Sequence, residues 1–155
     1  MPEDGIAILT LSMQRSYPGN AWNCVFGWSN TFEKTSVFNF LRPGPPLLDH
    51  DPEHSTLFNA CHTLVHKIAH ALGLAHCAHF ECAMNGFNSC EEQNVIHRYK
   101  ANTRYNCCVL CSQCLGKLQA AIGFKTRERA VGMQAVCEEM GFRDSAGYFA
   151  KVLKR

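Results

Sequence analysis

His66, His70 and His76 stand in the stretch His66-Lys67-Ile68-Ala69-His70-Ala71-Leu72-Gly73-Leu74-Ala75-His76-Cys77. Residues four apart on a helix lie on one face, so His66 and His70 can grip one ion together. Leu64, Ile68 and Leu72 repeat with the same period, which predicts a helix from about residue 59 to 72. Gly73 supplies the left-handed residue that ends it. His76 follows three residues later and can swing back as a third ligand. Three protein ligands leave one position on zinc open for water, the arrangement of a catalytic site. Lone histidine pairs are common on exposed helices. The glycine and the third histidine make chance a poor explanation here.

One residue opposes that chemistry. A zinc hydrolase needs a carboxylate beside the first histidine to take the proton of the metal-bound water, and Lys67 stands there. A protonated lysine accepts no proton. At an effective dielectric near 20 and about 5 Å, its repulsion with a dication is about 6–7 kcal/mol before screening. Three outcomes are open: the side chain swings away, it loses its proton, or it weakens the metal. A neutral lysine could itself serve as base. Glu81, Glu91 and Glu92 are the nearby acids, but Glu81 lies among the following cysteines and the other two form a pair in a loop. Tyr17, Tyr99 and Tyr105 could donate to a tetrahedral intermediate, although no spacing selects one. His62 extends the histidine stripe and is expected as a first-turn residue near solvent. His50, His54, His79 and His97 read as surface histidines.

Past His76 the chain continues Cys77, Cys82, Met84, and later Cys111-Ser112-Gln113-Cys114-Leu115-Gly116-Lys117-Leu118. Here the sequence resembles the archaemetzincins, a metzincin family of zinc metallopeptidases whose pattern is H-E-x-x-H-x-x-G-x-x-H-C-x4-C-x-M followed by C-x2-C. Tyr17-Pro18, the run from Trp22 to Gly27, Val37 to Phe40, Gly123-Phe124 and Glu128-Arg129 add to the likeness, which covers most of residues 10–140. The resemblance implies two zinc ions. His66, His70 and His76 match the catalytic ligands. Cys77, Cys82, Cys111 and Cys114 match a structural four-cysteine site. Met84 matches the Met-turn residue beneath the catalytic metal. It implies a hydrolase acting on peptide or protein, with Lys67 in the place of the catalytic glutamate. The expected consequence is a zinc-binding scaffold with weak or absent peptidase activity. A purely binding form, capturing peptide without cutting it, is the alternative.

The chain departs from the family in two further ways. An insertion falls near residues 92–107, and the chain opens later than family members do, so a truncated or naturally short form is expected. The insertion carries His97, Arg98, Tyr99, Lys100, Arg104 and Tyr105 beside cysteines. Basic and aromatic residues next to a zinc knuckle can bind single-stranded nucleic acid, though a solvated basic loop is the simpler reading.

Ten cysteines in 155 residues is a high count. The sequence shows no signal peptide and no apolar run of membrane length, so an intracellular, cytoplasmic location and no membrane partner are expected. In a reducing compartment clustered cysteines suggest metal; a disulfide-rich secreted fragment is the alternative. Cys108 is a rival zinc ligand, and Cys108, Cys111 and Cys114 share the C-x2-C-x2-C spacing of iron–sulfur ligation but lack its following x3-C-P. Cys24, Cys61, Cys90 and Cys137 are expected as free thiols, with Cys61 buried in the helix.

These residues need elements to hold them. Length predicts a single domain over residues 1–155, and a net charge of +2 calls for no polyanion. Monomers are expected. Ile6 to Leu11, Cys24 to Trp28 and Ser36 to Phe40 are rich in β-formers and read as strands. Five prolines and glycines between Leu41 and Glu53 read as a surface connection. After the metal helix, Leu115–Ile122, Arg127–Met140 and Asp144–Leu153 read as helices. The resemblance implies an α+β zincin fold: a small twisted sheet, the active-site helix, and C-terminal helices around the structural zinc. The edge of such a sheet can take up an extended peptide.

Overall fold

The computed structural model describes residues 4–14, 19, 25–39, 56–86 and 108–154. Tyr17, Cys24, the proline-rich connection, His50, His54, Cys90, Glu91, Glu92 and the whole basic stretch His97–Tyr105 lie outside them.

Three short strands open the fold: β1 (Ile8–Ser12), β2 (Gly27–Asn30) and β3 (Thr35–Asn39). The strand order is β1-β3-β2, with β1 parallel and β2 antiparallel to the central β3. The turn between β2 and β3 is closed by Asn30, whose side-chain oxygen accepts from the amides of Phe32 and Glu33. Register places Gly27 opposite Phe38 and Ser29 opposite Ser36. Alternation puts these four on one face. That face meets the helix α1 (Thr56–Ala71), which packs on β2 and β3. The opposite face carries Ile8 and Trp28, both exposed. Each strand begins or ends within three residues of its predicted bounds.

Helix α1 starts three residues earlier than predicted and ends at Ala71 in a Schellman motif. The amide of Leu74 donates to the carbonyl of Ala69 and that of Gly73 to His70. Gly73 sits at φ +93°, a conformation that costs a side-chain-bearing residue energy. The remaining helices are α2 (Ser112–Ile122), α3 (Thr126–Glu139) and α4 (Arg143–Leu153).

Two apolar clusters hang on α1. One joins Phe58 of α1 to Ala130, Cys137, Phe142, Ala146 and Phe149, so it seats the α3–α4 pair against the helix. Phe58 and Phe142 meet edge to face with ring centroids 5.4 Å apart. The other joins Ala69 to Leu74, Cys82, Met84, Leu110, Cys114 and Leu118, so it seats the loop after α1 and the helix α2. Val65 touches both clusters and fixes their separation along the helix.

Candidate metal centres

On α1 the histidines at 62, 66 and 70 share a face, as their spacing requires. Their environments differ. His66 is buried, His70 half-buried and His76, from the loop, exposed. The ring nitrogens of His66, His70 and His76 come within 4.8 Å of one another, which makes them a group able to hold a metal ion.

Backbone carbonyls orient two of the rings. Nδ1–H of His66 donates to Ala83 O at 2.7 Å, and Nδ1–H of His70 donates to Leu74 O at 2.6 Å. In the neutral rings Nε2 is then the unprotonated atom on both, and the two Nε2 atoms stand 2.9 Å apart. Two lone pairs at that separation call for a cation. On a tetrahedral zinc with Zn–N of 2.0–2.1 Å, two nitrogens lie about 3.4 Å apart, which the 2.9 Å separation and the 4.8 Å envelope bracket. The donor set fits the metal.

The electrostatics favour neutral, ligating imidazoles. Burial pushes His66 down to about 3, with further lowering by His70, Lys67 and His62 set against the hydrogen bond to Ala83. Burial also lowers His70 and His76, and Lys67 lowers both further.

Lys67 is the site's foreign element. Burial lowers the basicity of its amine. Its backbone carbonyl is held by the sheet: Ser36 Oγ lies 2.9 Å from it and Ser29 Oγ 3.3 Å, with the two hydroxyls 2.7 Å apart. Its side chain runs beside β2, where a Cβ on Gly27 would stand 3.3 Å from both Cγ and Cε and would collide with the carbonyl oxygen of Val37. The Val37 carbonyl is what excludes a Cβ at Gly27, and the lysine stem would be tight against one.

Four thiols form the second centre. Cys77, Cys82, Cys111 and Cys114 bring their sulfurs within 4.8 Å of one another. Cys77 Sγ and Cys111 Sγ are 3.9 Å apart, close to the roughly 3.8 Å expected of two sulfurs on zinc at 2.3 Å. Burial pushes the Cys82 and Cys114 thiols up, so these sulfurs need a cation to exist as thiolates. The amide of Cys111 donates to Cys82 Sγ and that of Cys114 to Cys111 Sγ, which orients both sulfurs. Met84 is fully buried, and its backbone links the two groups: its carbonyl accepts from the Cys77 amide, and its neighbour Ala83 holds His66.

Several expectations change. His62 is buried rather than near solvent; its ring stacks toward His66 at 6.4 Å, and it lies outside the three-histidine group. Cys108 is not one of the four clustered thiols but packs in the Phe58–Phe149 cluster. Cys61 is half-buried rather than buried, and Cys137 is buried. The seven described cysteines are all free thiols, so the disulfide alternative finds no pair among the described residues. Sequence reading missed Asn85 and Gly86. Asn85 accepts from the Cys82 amide and donates to the carbonyls of Cys77 and Phe80, which shapes the cysteine loop. Gly86 lies against the His76 ring, where a Cβ would come 2.9 Å from Nδ1. The Asn-Gly pair right after Met84 was the available signal.

A helix presenting histidines to a loop histidine, docked on a small sheet above a four-thiol cluster, defines a metallopeptidase scaffold. The family model for peptidase family M54 matches residues 4–120, and the chain belongs to that family, the archaemetzincin zinc metallopeptidases. It is 32% identical to archaemetzincin-2 of Pongo abelii and 26% identical to archaemetzincin-1 of Mus musculus, in each case over 83% of this chain. The chain spans 40% of the former's length and 29% of the latter's. Among solved structures, the archaemetzincin of Methanopyrus kandleri matches with a TM-score of 0.57 at 25% identity, covering 80% of this chain and 60% of that one. The archaemetzincin of Archaeoglobus fulgidus matches at 0.53 and 24% identity, over 72% of this chain and 60% of that one, and shows the same α+β fold. Among the described residues no helix is long and apolar enough to cross a membrane.

Proposed function

We propose that residues 1–155 form one archaemetzincin-type domain that takes up peptide or protein at a zinc centre held by His66, His70 and His76, and that Lys67 leaves hydrolysis weak or absent. A second zinc, held by Cys77, Cys82, Cys111 and Cys114, is structural in this reading. When bound at the histidines, zinc supplies Lewis acidity toward a peptide carbonyl and a water of lowered pKa. His66 and His70 orient their Nε2 atoms for it through the Ala83 and Leu74 carbonyls. Met84 and Ala83, whose carbonyl holds His66, are buried in one apolar cluster with Leu74 and Leu110. Strand β2 lies at one edge of the described sheet, beside Lys67, where an extended peptide can add.

One observation carries the hydrolytic deficit. Lys67 follows His66 directly, at the position where the family carries its glutamate, and its stem runs beside Gly27 of β2. A cation there cannot take the proton of a nucleophilic water, and positioned acid–base catalysis is worth about 10²–10⁴ in rate.

The test is zinc content per chain, followed by chelator-sensitive cleavage of a quenched peptide library by wild type and Lys67→Glu. Two zincs, with turnover gained only in the variant, is the expected result. Ordinary turnover by wild type would sink the deficit. A single zinc, lost on replacing Cys111 and Cys114, would remove the histidine centre.

A further inference from the structure

Strand β1 ends the sheet on the side away from β2, and among the described residues no strand lies beyond it. Its hydrogen bonding is half used. The Ile8 amide donates to the Lys34 carbonyl at 2.9 Å, and Ile8 stands in register with Thr35. In a parallel ladder alternate residues turn their amide and carbonyl to the neighbour, and those between turn them the other way. Ile8, Thr10 and Ser12 therefore face β3, while Leu9 and Leu11 point their backbone groups out of the open edge. Such a row is a template for another strand.

The usual protections of an edge are missing. Residues Ile6 to Met13 hold no charge and no proline. Helix α1 packs on β2 and β3, so it leaves the β1 end of its face open. Leu11, on that face, is 56% exposed, and Ile8, on the other face, is 41% exposed.

The phase of the strand says what fits it. Antiparallel pairing with an identical strand is two-fold symmetric, and outward-pointing residues must meet outward-pointing residues. A two-fold axis at Thr10 satisfies this and pairs the whole of Ile8–Ser12: Ile8 with Ser12 and Leu9 with Leu11, each way. Every Leu9–Leu11 pair then exchanges both of its amide–carbonyl bonds, and its side chains cover one another on the α1 face. Thr10 meets its own copy at a position where side chains approach closest and threonine pairs hydrogen-bond. With no charge in the stretch, nothing repels the copy.

We propose that the chain forms a two-fold dimer by antiparallel pairing of β1 with β1 of a second copy about Thr10, which doubles the three-stranded sheet into one continuous sheet. The axis is perpendicular to the sheet, so both α1 helices lie on the same side of it. Each packs on the two strands away from the seam, so the pairing stands apart from the metal-centre reading above and does not need zinc.

The test is sedimentation velocity of the full chain at low salt, over about a hundredfold range of concentration. Wild type should show a monomer–dimer equilibrium. Thr10 is exposed, so Thr10→Lys and Thr10→Glu should each keep the fold, checked by circular dichroism, yet place like charges opposite one another at the axis. Each alone should weaken the dimer about fivefold or more, and mixing the two should restore it. Leu11→Pro removes an outward amide and spares the bonds to β3, and should weaken the dimer about tenfold. A wild type that stays monomeric throughout overturns the proposal, whether its edge is covered by its own chain or by nothing. A dimer that folded Thr10→Lys or folded Leu11→Pro leaves at wild-type strength overturns it, because the contact is then elsewhere. A Lys and Glu mixture no tighter than either variant alone overturns it too.

Discussion

The hydroxyl of Ser36, on the central strand, lies 2.9 Å from the backbone carbonyl of Lys67, on the turn of α1 between the two helical histidines. Ser36 is buried, and Ser29 completes the pair of hydroxyls. Ser36→Ala should lower stability by about 1–2 kcal/mol, the cost of a buried carbonyl losing a partner. Urea unfolding monitored by far-UV circular dichroism checks it. Because the contact sets the height of α1 over the sheet, the variant should also loosen the histidine metal site, read as a weaker zinc affinity against a chromophoric chelator.

Gly86 is a steric prediction. A methyl group there would press on the His76 ring at 2.9 Å from Nδ1. His76 is exposed and free to move outward, so Gly86→Ala should displace a ligand without unfolding the chain. The expected result is zinc binding at the histidine centre weakened about tenfold or more with the thermal midpoint nearly unchanged. Cobalt substitution, with its ligand-field absorption, separates this centre from the thiolate one.

The thiolate centre should behave as a staple. Cys114 is buried in the first turn of α2, and Cys82 lies in the loop after α1. Cys114→Ser should lose one zinc per chain and expose the amides of residues 77–85 and of α2 to hydrogen exchange, while α3 and α4, built on the other cluster, keep their protection. Loss of protection throughout would show the two clusters to be one cooperative unit.

The pH dependence follows from His66. Its folded value is lowered to about 3 by burial, against an ordinary value of 6.5 in the unfolded chain. Below 6.5 the unfolded state therefore binds the extra proton, and stability falls as pH falls, across the window from 6.5 to about 3. For protein stripped of metal at the histidine centre only, the step from pH 7 to pH 5 should cost about 2 kcal/mol from this one group, with His70 adding in the same direction. Denaturant midpoints at the two pH values measure it. Zinc at the centre should flatten the early part of the curve, because the imidazole is then held unprotonated by the metal.

The sequence by itself determined the candidate ligands. His66 and His70 share a face because a helix repeats every 3.6 residues, and Gly73 ends that helix because only glycine enters the left-handed region cheaply, so a local pattern was enough. The cysteine spacings carried the second centre in the same way. The three helices after it were legible from their start and stop signals, the longest from its stop at Gly141. What tertiary structure decided depends on partners far along the chain. The unprotonated Nε2 of His66 is set by a carbonyl seventeen residues away. The burial of His62 and the exclusion of Cys108 from the thiol cluster follow from which core each face of α1 meets. The position of Lys67 is set by Gly27, Ser29 and Ser36, more than thirty residues earlier. Residue type fixes what a side chain can do, and only the packed chain fixes which neighbours, and so which charge, it does it beside.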